Sequence, residues 1–160
     1  MMDAAEWKLN FQMKTNKFQE GDSWRLQFDA TLVPNSPAAG WQQYIRSTSA
    51  RFRCCGCGRR WPSNHVMVVF HMRLAGGHGV VRVRALRQNC KMCSSAAMAQ
   101  PNVTSENIDI LLEHLVEKIR MKCYHEDLGR QGRPPESLEV QNPHEPEHCE
   151  GCQLGICTGR

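Results

Sequence analysis

Phe52-Arg53-Cys54-Cys55-Gly56-Cys57-Gly58-Arg59-Arg60-Trp61 and, further along, Gln88-Asn89-Cys90-Lys91-Met92-Cys93 are the stretches that decide the fold. Each contains a Cys-x-x-Cys pair, and two residues between thiolates let both sulfurs reach one tetrahedral ion at about 2.3 Å. Cys54, Cys57, Cys90 and Cys93 therefore form a four-thiolate set suited to zinc. The chain between the pairs reads as a hairpin. Val66 to Met72 is β-branched and aromatic, Gly76, Gly77 and Gly79 supply a turn, and Val80 to Leu86 returns. On the return strand Val81, Val83 and Ala85 share one face, with Arg82, Arg84 and Leu86 on the other. A hairpin set between two cysteine knuckles brings them together. A redox dithiol and uncoordinated buried cysteines are the competing readings; a redox motif opens a helix beside a strand, and neither pair sits there.

Outward from this core, the tail holds His144-x4-Cys149-x2-Cys152-x4-Cys157. One imidazole with three thiolates closes a structural zinc site and leaves no open position for catalysis. His148, beside Cys149, and His71, on the first hairpin strand, are substitutes for His144 as the fourth ligand. Cys55 and Cys123 are left over as packing or spare thiols, since Cys55-x-Cys57 is too short for a normal knuckle. The expectation is two structural Zn2+ ions.

The remaining elements follow from periodicity. Residues 3–19 suit a helix with Trp7, Phe11 and Phe18 on one face, and the stem of Lys14 lying along the rings. Trp24 to Phe28 alternates as a half-buried strand, and Pro34, Pro37 and Gly40 punctuate a loop that delivers Trp41 and Tyr44. Ser105 is the expected N-cap of a long helix whose apolar stripe is Ile108, Leu111, Leu112, Leu115 and Ile119. The fold class is expected to be α+β, a zinc-ribbon-like antiparallel hairpin core with an N-terminal helix, one long C-terminal helix and a second knuckle in the tail. The expected division is a core over residues 1–125, a Gly- and Pro-rich linker or exposed loop over 126–143, and the knuckle over 144–160, packed on the core.

Nine cysteines without an apolar leader point to metal thiolates on the reducing, cytosolic side rather than to a disulfide framework. No run approaches the roughly 18 apolar residues of a membrane span. The net charge of +4 is unevenly spread, with no acidic residue between Asp29 and Glu106. Arg51, Arg53, Arg59, Arg60, Arg82, Arg84 and Arg87 lie in that interval and are candidates for meeting an anionic partner, either a lipid surface or RNA. Trp41, Tyr44 and Trp61 are candidate aromatic anchors, against a plainer reading as core. No Ser/His/Asp grouping or phosphate loop emerges, and the ligand order lacks the His-x-Glu…Cys-x-x-Cys pattern of zinc deaminases, so no enzyme is expected.

An ordered set of residues carries a resemblance. It runs from Trp7 and Phe11 through Trp24-Arg25-Leu26 and Gly40-Trp41-x-x-Tyr44 to Phe52-x-Cys54-x-x-Cys57 and Trp61. It continues with Val69-Phe70-His71-Met72, Gln88-x-Cys90-x-x-Cys93 and Glu106-Asn107-Ile108, and closes on Cys149-Glu150-Gly151-Cys152-x-x-Gly155-x-Cys157. Over nearly its whole length the chain resembles the receptor-transporting proteins, whose zinc domain has three Cys-x-x-Cys pairs. The resemblance implies an accessory chaperone that helps receptors with seven membrane spans, odorant and bitter taste receptors among them, to reach the cell surface. It also implies a cytosolic zinc domain ahead of a C-terminal membrane anchor, whereas this sequence stops at Arg160; alone, it reads as soluble and cytoplasmic. Cys55 is a second departure, at a position where relatives commonly have serine. The alternative function is a cationic zinc-finger factor that binds RNA in antiviral defence, since some relatives are similar to interferon-induced proteins.

Overall fold

The computed structural model describes residues 4–93, 96–127 and 133–157. Helix α1 (Ala4–Thr15) leads to strand β1 (Ser23–Phe28), then to the long strands β2 (Gln42–Arg53) and β3 (Arg60–Ala75). Strand β4 (His78–Ala85), the short β5 (Asn102–Val103), helix α2 (Ser105–Cys123), a 3-10 turn (Pro146–His148) and the short helix α3 (Glu150–Gln153) complete the order. The five strands form one sheet in the order β1-β4-β3-β2-β5, antiparallel except where β1 runs parallel to β4. This is the α+β, zinc-ribbon-like fold expected, with a larger sheet than the hairpin alone.

The alternation along β4 is what fixes the two faces of the sheet. Val81, Val83 and Ala85 point into the main core beneath the helices, against Trp7 and Phe11 of α1 and the predicted stripe of α2, all buried. Leu86 turns to the other face, where it joins Met67 and Val69 and is covered by Ile156 and Cys157 from the tail. Gly79 is required by its neighbour across β1. A Cβ there would fall 2.1 Å from the ring of Trp24, so the indole lies directly on the backbone.

Three expectations are corrected. The loop delivers Trp41 but not Tyr44, which lies in a full strand, Gln42–Arg53, paired with β3 from Gln42↔Met72 to Arg53↔Arg60. Its polar residues hid it, because much of β2 is only half-buried. Strand β3 begins at Arg60 rather than Val66, and so contains Pro62. The proline is tolerated because β4 pairs only from Val68 onward, leaving that flank of β3 without a ladder partner for the missing N–H. The cap of α2 is Thr104, whose hydroxyl accepts from the N–H of Asn107, so Ser105 is the first helical residue. At the N-terminus, Lys14 pairs with Asp109 of α2 at 2.6 Å and fastens the two helices together.

A bulge interrupts β2 and β3 between Thr48 and Ala50. It frees Asn64 to accept from Ser49 and from the N–H of Leu138, and to donate to the carbonyl of Leu138 at 2.9 Å. Residues 133–139 carry no regular structure but are fastened in this way to the sheet and, through Arg133 and Glu136, to α2.

Candidate metal centre

The turn joining β2 to β3 is itself the first knuckle. Cys54 donates its N–H to the carbonyl of Arg59 at 2.8 Å, and its sulfur accepts from the N–H of Gly56 at 3.3 Å. Gly58 takes a left-handed φ of +74°, which closes the turn at little steric cost. The chain leaving β4 brings Cys90 against this turn, and the sulfurs of Cys57 and Cys90 stand 3.7 Å apart. Four thiolates at about 2.3 Å from a tetrahedral ion have edges of about 3.8 Å, so this spacing suits zinc. The sulfurs of Cys54, Cys57 and Cys90 all lie within 4.8 Å of one another. Cys93 stands just outside that group but against the same turn. A Cβ added to Gly56 would lie 2.8 Å from its sulfur, so the glycine makes room for it.

The second cluster is built at the other knuckle. Cys149 precedes α3 and its sulfur accepts from the N–H of Cys152 at 3.4 Å, three residues on, where Cys54 accepts from Gly56, two residues on. The Nε2 of His144 lies 3.3 Å from the sulfur of Cys152 and 3.5 Å from that of Cys157. A nitrogen at about 2.0 Å and a sulfur at about 2.3 Å from one tetrahedral ion are about 3.6 Å apart, so the donor set fits here too. All four ligand atoms lie within 4.8 Å of one another. The imidazole of His65 packs edge-on against His144, with centroids 4.8 Å apart.

The substitute ligands are elsewhere. His148 bonds Asn89 at 2.9 Å through Nδ1, and His71 bonds Gln43 at 3.0 Å. Cys55 is exposed, and Cys123 is half-buried on α2, where burial pushes its thiol up.

The thiol chemistry suits a bound cation. Backbone N–H groups, that of Cys57 foremost, bring the Cys54 thiol down to about 7, within reach of ionisation at neutral pH. Burial and the neighbouring thiols of Cys157 and Cys149 push Cys152 up to about 12. Crowded sulfurs cannot all ionise on their own, and a dication among them reverses that penalty.

The structure separates the seven candidate arginines. Arg84 and Arg87 are turned to Glu150, the residue between Cys149 and Gly151, at 2.7 and 2.8 Å, and are not free cations. Burial alone would lift the Glu150 carboxyl, but bonds from Arg87 and the charge of Arg84 hold it below its ordinary value. Arg59 lies over Trp61 at 5.0 Å, and Arg82 over Trp41 at 4.7 Å. Arg51, Arg53 and Arg60 are exposed, and no ion pair is formed by any of them among the described residues. The aromatic candidates are all engaged: Tyr44 stacks on Phe70, and Trp61 on Phe52 at 5.4 Å.

Sequence reasoning missed Gln88, which joins the two clusters. Its side chain accepts from the indole N–H of Trp61 and donates to Ser63, while its backbone bridges Ala99 on one side and Cys149 on the other. Only its position two residues before Cys90 marked it.

Comparison with known proteins agrees with this geometry. A three-CxxC zinc-ribbon family model, described as a zinc-binding domain, matches residues 47–155 and so takes in all three Cys-x-x-Cys pairs. The chain is 36% identical to mouse receptor-transporting protein 3 over 160 residues, covering 98% of this chain and 34% of that protein. It is 37% identical to mouse receptor-transporting protein 2 over 158 residues, covering 97% of this chain and 71% of the relative. Human receptor-transporting protein 1 is 36% identical over 154 residues, and the chain covers 59% of it. The chain therefore spans about a third of the first of these relatives and more than half of the other two. No solved structure matches. Among the described residues no helix is long and apolar enough to cross a membrane. With two cysteine clusters gathered as a structural metal requires and likeness along nearly its full length, the chain belongs to the receptor-transporting protein family and carries that family's zinc-binding domain.

Proposed function

We propose that this chain is a non-catalytic, zinc-stabilised accessory chaperone that promotes trafficking and surface expression of seven-transmembrane receptors of the odorant or bitter taste type. The observation that carries the reading is likeness to receptor-transporting proteins over nearly the whole chain, in a fold that gathers cysteines into two clusters. In this reading one zinc is held by Cys54, Cys57, Cys90 and Cys93, and a second by His144, Cys149, Cys152 and Cys157. Both ions are structural, and both fix the tail and the β2–β3 turn into a rigid platform. The working location is the cytoplasmic face of the secretory pathway or plasma membrane, where thiolates remain reduced. The domain division into a core, a connecting segment over 126–143 and a C-terminal knuckle belongs to the same reading.

The test is surface abundance of a poorly exported odorant or bitter receptor in cells carrying the intact chain or Cys54→Ser/Cys57→Ser, each with and without an added C-terminal membrane anchor. Surface receptor is expected to rise only with intact cysteines. No rise with either intact version across several receptors rejects the proposal.

A further inference from the structure

Strand register puts Arg53 directly opposite Arg60 at the end of the β2–β3 hairpin, with Arg51 two residues away on the same face. The parity is fixed by the other face, where Phe52 and Trp61 pair in the same register, with Phe52 buried and the two rings stacked. Like charges set opposite each other across a sheet are destabilising. No ion pair to any of the three arginines occurs among the described residues, and the sequence holds no acid between Asp29 and Glu106; the tail's Glu145 comes to the neighbouring knuckle but is paired there with Lys91 at 3.7 Å. The neighbouring arginines are used internally, Arg84 and Arg87 on Glu150, and Arg59 over Trp61 with its Nη1 4.0 Å from the sulfur of Cys90. Three cations are thus presented outward at one end of the sheet. Beside them, the knuckle between Cys90 and Cys93 holds out Met92, which is 73% exposed. This knuckle touches the hairpin turn through Cys57 and Cys90, and through Gly56 and Cys93.

We propose that this end of the molecule is a docking surface for an anionic lipid bilayer. Arg51, Arg53 and Arg60 meet phosphate and carboxylate headgroups, and the Met92 side chain enters the boundary with the acyl chains. Headgroup anions relieve the repulsion that the strand register imposes, so the charge arrangement costs least where the surface is bound. A single-stranded nucleic acid is the poorer occupant, because stacking on its bases needs free aromatic faces. Phe52 and Trp61 stack on each other, and the Arg59 guanidinium also lies over the Trp61 ring.

The test is co-sedimentation of the zinc-loaded full chain with phosphatidylcholine vesicles, with and without phosphatidylserine. No receptor is present, so the result stands apart from the trafficking reading. Binding is expected only to the anionic vesicles and should weaken about fivefold for each arginine neutralised, or about a hundredfold for Arg51→Gln/Arg53→Gln/Arg60→Gln. Arg73→Gln, at the opposite end of β3, should leave it unchanged. Arg53→Glu guards against a folding artefact, because it sets an acid opposite Arg60. It should raise the thermal midpoint while weakening vesicle binding by about 25-fold. Equal loss in Arg73→Gln, equal binding to neutral vesicles, or a single-stranded RNA that binds the chain while anionic vesicles do not would each overturn the proposal.

Discussion

Gln88 and Cys149 pair backbone to backbone, and the bonds on either side of that bridge run from the N–H of Asn89 to the carbonyl of His148 and from the N–H of Glu150 to the carbonyl of Arg87. Cys90 lies two residues beyond this bridge and Cys149 lies within it, so the two clusters share a short run of backbone. A knuckle that loses its ion loses the geometry of its turn, and that loss reaches the other cluster through residues 87–89. Cys149→Ser should therefore release the tail's zinc and also weaken retention at the Cys54, Cys57 and Cys90 cluster, by about tenfold, the scale of an outer-shell change. Chelator competition on the variant, followed through the zinc that remains, measures the effect. Unchanged resistance of that remaining zinc would mean that the clusters are independent.

Glu150 supports the same junction by charge. Its side chain is 8% exposed and that of Arg84 is 16% exposed, so removing the carboxylate leaves a largely buried guanidinium with the Leu32 carbonyl as its remaining bond. Breaking a buried pair from one side costs roughly 3 kcal/mol, although replacing both partners would not. Glu150→Gln should lower the stability of the zinc-loaded chain by about that amount, read by denaturant unfolding. The pH dependence follows from the direction of the shift. A carboxyl held below its ordinary value of 4.5 contributes stability that is present above that pH and is lost as the pH falls through the folded value. The difference between wild type and variant should thus be flat from neutrality down to about pH 5 and shrink below it. A difference that shrinks instead between about pH 6 and 8, the ordinary histidine range, would rule out this carboxylate as the source.

Much of this architecture is legible in the sequence where a short-range rule governs it. The Cys-x-x-Cys spacings identify both knuckles, and period-two alternation along β4 assigns Val81, Val83 and Ala85 to one face, which is the face turned to the core. Helical spacing does the same for Ile108 through Ile119. What escapes such rules is set by long-range pairing. Strand β2 is recognisable as a strand only beside β3, since Tyr44, Ile45 and Arg46 are all half-buried and show no clean alternation. The fates of the arginines are hidden for the same reason. Arg82, Arg84 and Arg87 look alike in sequence, yet one stacks on Trp41 and two are taken by Glu150, more than sixty residues away. A count of charges does not reveal which of them reach solvent.

Gly56 is the position from which the fourth thiol of the first cluster can be tested without touching a cysteine. A methyl group there would lie 2.8 Å from the Cys93 sulfur, too close to stand, and 3.2 Å from the Ala96 Cβ, a tight contact. The φ of Gly56 is not in the left-handed range, so backbone strain does not confuse the result. Gly56→Ala should therefore displace Cys93 while leaving Cys54, Cys57 and Cys90 near their places. Cobalt substituted for zinc reports the thiolate count directly, through the intensity of its sulfur-to-metal charge-transfer band. The expected outcome is a fall of about a quarter in the band from the first cluster as a four-thiolate site loses one donor, with weaker metal retention there. Cys93→Ser should give the same spectrum, and the two changes combined should add nothing. An unchanged band in Gly56→Ala, alongside a diminished one in Cys93→Ser, would mean that the turn yields to the methyl group. An unchanged band in both would remove Cys93 from the ligand set.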